Sequence, residues 1–373
     1  MTNGKIGNLL SRHASAYNPA PDTHRNTLLP MRLMLAPMEG VIDHTLRHLL
    51  TSLGGLDRCV TEFLRVGERL LPPRVFLRIC PELAQGGYTP AGVPVYLQLL
   101  GSAPQAMAEN AARGAALGAV GIDLNFGCPA KTVNRSEGGA ILLREPERVG
   151  AIVAAVRRAV PASTPVTVKI RLGYEDPSLF RDNVQAIDAA GASELTIHAR
   201  TKRQGYRSPA HWEHIARARS WVSLPVIANG DIWSVEDARR CRKLSHCQDL
   251  MLGRGALCRP DLPRLVRAGM EARELEPLAW GDITALLLAF FDLTLAHYDA
   301  HCAGNPLKQW LIYLRSYYPQ AALLFERIKR LRQPADLRQQ LLGDVYGETQ
   351  MAAWPPPMAS ALPLATRASA EAR

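Results

Sequence analysis

The stretch Val120-Gly121-Ile122-Asp123-Leu124-Asn125-Phe126-Gly127-Cys128-Pro129 decides which fold this sequence predicts. Its first half is largely apolar and contains β-branched residues, which indicates a buried strand. Gly127 and Pro129 then end the strand abruptly. A thiol therefore follows a strand end directly, between two residues that add little bulk beside it. An isolated cysteine is commonly a buried core residue, but this one is also placed to face a pocket, and the motif alone leaves both interpretations open.

Apolar runs of strand length alternate with helical patterns on both sides of this stretch. Because these strands are apolar throughout and each precedes a helix, they predict a parallel sheet covered on its outer face. Eight such units over about 240 residues predict an α/β fold of the closed (β/α)8 TIM-barrel type. An open doubly wound sheet is the alternative, but it would usually place GxGxxG after its first strand, where this chain has Ala36-Pro37-Met38-Glu39-Gly40. The eight predicted strands are 31–38, 58–66, 94–100, 120–128, 165–172, 194–200, 225–230 and 249–253.

The strand pattern stops after Asp261, and the segments 283–298, 306–318 and 321–331 have helical periodicity. We therefore predict a barrel followed by a smaller C-terminal helical domain. The predicted boundaries are a disordered N-terminal extension at 1–30, the barrel at 31–275, the helical domain at 276–350 and a disordered, proline- and alanine-rich tail at 351–373.

Composition narrows the classes of function. The formal net charge of +10 favours an anionic partner such as nucleic acid. The seven cysteines show no CxxC pair and no zinc-site spacing, so we expect a reduced, cytoplasmic protein without a metal. The longest apolar tract, 283–298, is interrupted by Asp292 and is shorter than the ~18 apolar residues of a membrane span. No membrane association is expected, and a monomer is predicted.

Polar residues cluster at the ends of the predicted strands, where the active sites of such barrels lie. Lys169 and Arg171 stand at alternate positions of an apolar strand, and burying two cations is costly unless an anion meets them. Asn229-Gly230 and Gly253-Arg254 follow strands seven and eight, the usual place for a phosphate. A flavin mononucleotide (FMN) fits both observations, because a lysine stabilises the N1–C2=O region of the reduced ring. Taken one at a time, Gly230 and Gly253 are typical of turns, and His198 is typical of a core histidine. Because all of them lie on consecutive strand ends, together they favour a binding site.

Eight short motifs lie at or near the ends of the predicted strands: Ala36-Pro37-Met38-Glu39-Gly40, Cys59-Val60-Thr61-Glu62-Phe63, Gln98-Leu99, Asn125-Phe126-Gly127-Cys128-Pro129-Ala130-Lys131, Lys169-Ile170-Arg171, His198-Ala199-Arg200-Thr201, Ala228-Asn229-Gly230-Asp231 and Gly253-Arg254-Gly255. Together these motifs resemble the tRNA-dihydrouridine synthases, over about residues 31–331. The helical segment around Lys308 and Arg315, with Arg65 near the end of strand two, resembles the C-type subfamily, which modifies uridine 16 of the tRNA D-loop.

The resemblance implies an FMN enzyme reduced by NADPH or NADH. Hydride would pass from flavin N5 to C6 of a uracil ring, and Cys128 would protonate C5 as the catalytic residue. An unperturbed thiol has a pKa of ~8.5 and is mostly protonated at neutral pH, which agrees with that role. The implied cofactor-binding residues are Pro37, Met38, Glu39, Gln98, Lys169, His198, Asn229, Gly230, Asp231, Gly253 and Arg254.

The resemblance also implies tRNA as partner. A uridine in folded tRNA must be drawn out of its stack to be modified, and cations and aromatic rings would hold the surrounding RNA. The spacing of Trp310, Tyr313 and Tyr317 by itself favours core packing, but the resemblance makes Trp310 an RNA contact. The implied tRNA-binding residues are Arg65, Asn125, Arg171, Tyr206, Lys308, Trp310 and Arg315.

Two other functions stay open from the residues. One is a flavin enzyme that acts on a free pyrimidine, and the other is a non-catalytic tRNA-binding protein built on an inactive barrel. The loop after Cys128 also departs from the family pattern, because Arg135 and Glu137 place charges where relatives are rich in glycine and serine. Gly138 and Gly139 predict that this loop is mobile enough to close over a base.

Overall fold

The computed structural model of the chain describes residues 30–135 and 137–346, so the predicted tail and all but Pro30 of the predicted N-terminal extension lie outside it. Within this part of the chain every predicted strand is found. The strands are β1 (Leu33–Leu35), β2 (Arg58–Val60), β3 (Leu64–Arg65), β4 (Val95–Leu100), β5 (Ile122–Phe126), β6 (Val166–Arg171), β7 (Glu194–His198), β8 (Val226–Asn229) and β9 (Leu250–Leu252).

These strands form a closed parallel barrel. β1 pairs with β9 on one side and with β2 on the other, and β2 pairs with β4, which closes the ring of eight. The predicted second strand is split, since β3 pairs with the far end of β4. Thr61 causes the break, because its hydroxyl accepts the hydrogen bond from the Gln98 N–H at 3.0 Å. The TIM barrel predicted from the sequence is therefore confirmed.

Helices cover the outside of the barrel, and two of them begin at a side-chain cap. Ser234 accepts a hydrogen bond from the Asp237 N–H, and Asp43 accepts one from the Leu46 N–H, each at the start of a helix. The barrel helices are α1 (His44–Ser52), α2 (Pro73–Ile79), α3 (Pro104–Ala116), α4 (Lys131–Arg135), α5 (Pro146–Ala159), α6 (Phe180–Ala189), α7 (Glu213–Arg219), α8 (Val235–Ser245), α9 (Arg254–Cys258) and α10 (Leu262–Met270).

Alternation along the strands separates two cores. Outward residues such as Leu33 and Leu35 pack under the helices in the large core, whereas Met34, Val60 and Ile227 belong to a small separate apolar cluster. Since the small cluster takes alternate strand residues, it lies inside the barrel. The site described below lies above it, at the carboxyl ends of the strands.

Up to residue 346, where the described part of the chain ends, four helices follow the barrel: α11 (Trp280–His297), α12 (Gly304–Leu314), α13 (Pro319–Ile328) and α14 (Pro334–Tyr346). Three of them match predicted helical segments, and α14 was not predicted. By length and composition alone α11 could cross a membrane, but half of it is buried and it packs against α1, α12 and α14. A core helix passes the same test. The large core runs without a break from the barrel into these helices.

Candidate active site at the mouth of the barrel

A cavity of about 530 Å³ opens at the carboxyl ends of the strands. The structure places the predicted residues around it: all eleven predicted cofactor residues, Cys128, and three of the predicted tRNA contacts, Asn125, Arg171 and Tyr206. The remaining predicted tRNA contacts, Arg65, Lys308, Trp310 and Arg315, lie outside its lining. The geometry brings these strand ends together, and the roles of the individual residues remain predictions.

Lys169 is the buried cation at the centre of the site. Its Nζ lies 2.9 Å from the Asn229 side-chain oxygen, a neutral partner. Burial, and after it the neighbouring Arg171, lower the pKa of Lys169 to about 7, while Asp123 opposes the shift. A lysine in this setting gains from an electron-rich group placed against it.

His198 is a neutral imidazole on the cavity wall. Burial, and then the nearby cations Arg171, Lys169, Arg200 and Arg254, hold its pKa well below the usual range. Its Nδ1 is buried and has no hydrogen-bond partner among the described residues. A buried polar atom without a partner is costly, so the hydrogen bonding of this cavity residue is incomplete within the described part of the chain.

Arg254 lies at the rim and is held from several sides. Its guanidinium donates to Asp231 at 3.2 Å, and Asp231 also pairs with the fully buried Arg200. The same guanidinium lies 4.5 Å from the centre of the Tyr206 ring and 4.9 Å from that of Trp233. One carboxylate thus serves two arginines, which leaves this part of the site positively charged.

The backbone of the Cys128 loop is tied down by its neighbours. The Asn125 side-chain oxygen accepts hydrogen bonds from the N–H groups of Gly127 and Cys128, both at 2.9 Å. The Cys128 carbonyl accepts from the Asn134 side chain at 3.0 Å and from the Ala140 N–H at 3.2 Å. A Cβ at Gly139, where φ is +69°, would come within 2.9 Å of that carbonyl oxygen, so the loop packs closely only with glycine there.

The Cys128 thiol is suited to remain protonated. It is half-buried and packs against Phe63, Leu100 and Val133. Burial raises the pKa of this thiol, and the Glu39 carboxylate raises it further. Burial, together with Glu62, also raises the pKa of Glu39 itself, to about 7. A thiol that keeps its proton at neutral pH is a general acid rather than a nucleophile.

Glu137, a charged residue of this loop, is tied to a neighbouring helix. Glu137 adopts a positive φ of 52° and forms an ion pair with Arg148 at 3.0 Å. The pair is exposed, so it adds little stability. It nevertheless connects the loop to α5, which is a connection the sequence did not predict.

The structure corrects the prediction that Trp310 contacts tRNA. Its side chain is 1% exposed, its ring packs edge-on against Phe290 at 5.2 Å, and its Nε1 donates to the Leu257 carbonyl at 3.0 Å. With its ring and its donor both used inside the protein, the indole is not available to stack on a base. Of the other predicted contacts outside the cavity, Arg65 and Arg315 are exposed, whereas Lys308 is half-buried and donates to the Leu331 carbonyl.

Trp233 and Tyr313 are among the cavity residues that were not predicted as site residues from the sequence. Trp233 follows Asp231 by two positions and is 38% exposed at the rim. Extending the Asn229-Gly230-Asp231 motif by two residues would have included it. Tyr313 on α12 also lines the cavity. It belonged to the recognised aromatic spacing, but periodicity gave no reason to separate it from Trp310.

Comparison with known proteins identifies the family. The model of the dihydrouridine synthase (Dus) family matches residues 34–336. A protein of Pseudomonas putida named tRNA-dihydrouridine(16) synthase is 51% identical over 300 residues, which are 80% of this chain and 93% of the relative. Proteins of the same name from Shewanella oneidensis (50% over 299 residues, 80% of this chain and 93% of the relative) and Ralstonia nicotianae (48% over 306 residues, 82% and 94%) match similarly.

Among solved structures, histamine dehydrogenase from Rhizobium sp. 4-9 matches with a TM-score of 0.50 at 14% identity, over 70% of this chain and 49% of that one. This likeness agrees with the barrel fold. The family model and the relatives confirm the resemblance drawn from the strand-end motifs: the chain belongs to the dihydrouridine synthase family.

Proposed function

We propose that this protein uses FMN and NADPH or NADH to reduce one uridine of tRNA, at position 16 of the D-loop, to 5,6-dihydrouridine. The observation that carries the proposal is that one cavity is lined both by a thiol that keeps its proton, Cys128, and by the buried lysine Lys169. Family membership and the names of the relatives support the same reaction.

The cavity fits a phosphorylated flavin. Lys169 offers a charged contact to an electron-rich ring, and His198 lines the same cavity. The positive charge around Arg254 suits a phosphate. At Gly253, a Cβ would approach Ala36 at 3.6 Å and Met38 at 3.8 Å, so glycine keeps this wall open. When bound, the reduced flavin supplies the hydride that uracil C6 receives.

Cys128 supplies the proton for C5. Its raised pKa keeps the proton on sulfur until the ring carbon becomes basic. Arg171 supports this step through the loop, because its Nε donates to the Gly127 carbonyl at 2.9 Å and its Nη1 donates to Thr201 and Gly205. The backbone that carries the thiol is therefore held by Asn125 and by Arg171.

The surface around the mouth suits RNA. Arg65 and Arg315 are exposed, and Tyr206 and Trp233 present exposed rings at the rim. All seven cysteines are free, which supports a reducing compartment such as the cytoplasm, where tRNA is modified.

The test is an assay of the purified protein with NADPH on unmodified tRNA and, separately, on free uracil. We expect a yellow preparation that forms dihydrouridine in tRNA, mapped to position 16, and no turnover of the free base. Size-exclusion chromatography of the same preparation tests the predicted monomer.

Two outcomes would contradict the proposal. Turnover of free uracil alone would assign the protein to pyrimidine metabolism. A colourless protein that binds tRNA without reducing it, even after incubation with FMN, would make it a binding protein.

A further inference from the structure

A chain of side-chain hydrogen bonds runs from beneath the cavity to the Cys128 loop. Asp123 Oδ2 accepts from Gln98 Nε2 at 2.7 Å. Gln98 Oε1 in turn accepts from Asn125 Nδ2 at 2.8 Å. Asn125 Oδ1 then accepts from the N–H groups of Gly127 and Cys128. Gln98 and Asn125 line the cavity, whereas Asp123 is buried and does not.

The direction of every bond in this chain is fixed from its two ends. The backbone N–H groups at one end can only donate, so the Asn125 oxygen must face them and its amide nitrogen must face Gln98. Gln98 then presents its own amide nitrogen to residue 123, which must accept. A carboxylate accepts at both oxygens, so Asp123 closes the chain without ambiguity.

The strand register makes this arrangement a property of the barrel. Asp123 on β5 lies beside Gln98 on β4 and beside Thr167 on β6. The Thr167 hydroxyl donates to the second oxygen, Oδ1, of Asp123. Three neighbouring strands therefore place a polar layer directly under the site, where such barrels usually carry branched apolar residues.

We propose that Asp123 is a positioning residue: by fixing the amide of Gln98, and through it that of Asn125, it sets the backbone conformation that presents the Cys128 thiol. The inference deepens the proposed function, on which it rests only for the role of Cys128 as proton donor. What Asp123 contributes to the Cys128 loop is orientation, whereas its charge acts on Lys169.

The test compares two substitutions at this position. Asp123→Leu removes the acceptor, so the Gln98 and Asn125 amides are free to turn and the Cys128 N–H loses its fixed partner. Asp123→Asn removes the charge but keeps an acceptor for Gln98, because its amide nitrogen can donate to the Thr167 hydroxyl, which also accepts. If Asp123→Leu does not yield folded protein, Asp123→Met removes the same acceptor with a more flexible side chain.

Two readouts separate positioning from general structural damage. The first is kcat against KM for tRNA: we expect Asp123→Leu to lower kcat by about tenfold to a hundredfold with little change in KM. The second is alkylation of Cys128 by iodoacetamide across pH, measured by mass spectrometry against Cys302, the other half-buried thiol. We expect the ratio of the two alkylation rates to change severalfold in Asp123→Leu, roughly as thiol exposure and environment dictate. Asp123→Asn should restore both readouts to within about threefold of wild type.

Thr167→Val is the matched control, because it removes the other hydrogen bond of the same carboxylate and leaves the bond to Gln98. Its kcat should stay within about threefold of wild type. The inference is overturned if Asp123→Asn is as damaging as Asp123→Leu, if Thr167→Val matches Asp123→Leu, or if Asp123→Leu leaves the alkylation ratio unchanged. The alkylation ratio needs no substrate, so it reports on the loop even if the protein proves not to reduce tRNA.

Discussion

The barrel mouth and helix α12 were both interpreted from residue spacing, with opposite success. At the mouth, residues on strand ends far apart in sequence line one cavity. On α12 and just after it, three aromatic residues with the spacing of one helix face have three different environments. Trp310 is buried, Tyr313 lines the cavity, and Tyr317 is exposed with Arg259 4.5 Å from the centre of its ring.

The two regions differ in how far the position of a residue within a strand or a helix determines where its side chain lies in the fold. The end of a parallel barrel strand has one destination, the mouth, because every strand runs the same way. Residues on one helix face share only the direction in which their side chains point. The part of the protein that these side chains contact changes along the helix. Here α12 ends at Leu314, so Tyr317 lies beyond the helical period altogether.

The largest effect we predict is at the mouth. Cys128→Ala should keep flavin absorbance and tRNA binding but lower dihydrouridine formation by about 10²–10⁴-fold, since only the proton donor is lost. Single-turnover reduction of tRNA measures this. Cys302→Ala, at the other half-buried cysteine, is the control and should be active. Undiminished turnover by Cys128→Ala would remove the thiol from the chemistry.

Lys169→Met should weaken flavin binding by about tenfold to a hundredfold, because a charge-assisted contact is lost. Flavin fluorescence titration of the apoprotein measures the affinity. Lys243→Met, on the exposed side of α8, is the control. Equal affinity in the wild type and Lys169→Met would mean that the cation serves another group.

The same lysine predicts a pH dependence of the apoprotein. Its folded pKa of about 7 lies below the usual 10.5, so between these values the unfolded chain binds more protons and stability rises with pH. Below about pH 7 the cost of the buried charge is fully present. Lys169→Met should therefore raise the Tm of the apoprotein more at pH 6 than at pH 9. A gain that is the same at both pH values would contradict the lowered pKa.

On α12 we predict loss of stability rather than loss of RNA binding. Trp310→Phe removes the hydrogen bond to the Leu257 carbonyl and should lower the free energy of unfolding by about 1–3 kcal/mol. Urea unfolding measures it, with Tyr317→Phe as the exposed control. Weaker tRNA binding with unchanged stability would return Trp310 to the RNA interface and remove the contrast between the two regions.

The smallest effect is expected at Arg315, also at the end of α12. Arg315→Gln should leave stability unchanged and weaken tRNA binding a fewfold, with the slope of log K against log salt reduced by about one. Filter binding over a salt series measures both. An unchanged slope would show that this exposed arginine meets no phosphate.

Most of the fold and the strand-end residues of the site could be predicted from sequence, because apolar runs form strands, and glycines and prolines end them, through interactions that are local in the chain. The break after Val60 could not, since it depends on the Thr61 hydroxyl meeting Gln98 on another strand. Asp123 was likewise counted within an apolar strand, and its partners become visible only when β4 and β6 lie beside it. Trp310 is buried by α9 and α11, and the sequence around Trp310 does not predict where those two helices lie.

The hydrogen bond from Trp310 to Leu257 also bears on how this protein could be rebuilt. Helix α9 carries Arg254 of the cavity at its first position and receives the indole near its last. The C-terminal helices and the rim of the cavity thus share a single anchoring turn. A chimera that exchanges the C-terminal helices for those of a relative should therefore take residues 254–258 with them, because a cut at 275 would separate the indole from the turn to which it is hydrogen-bonded.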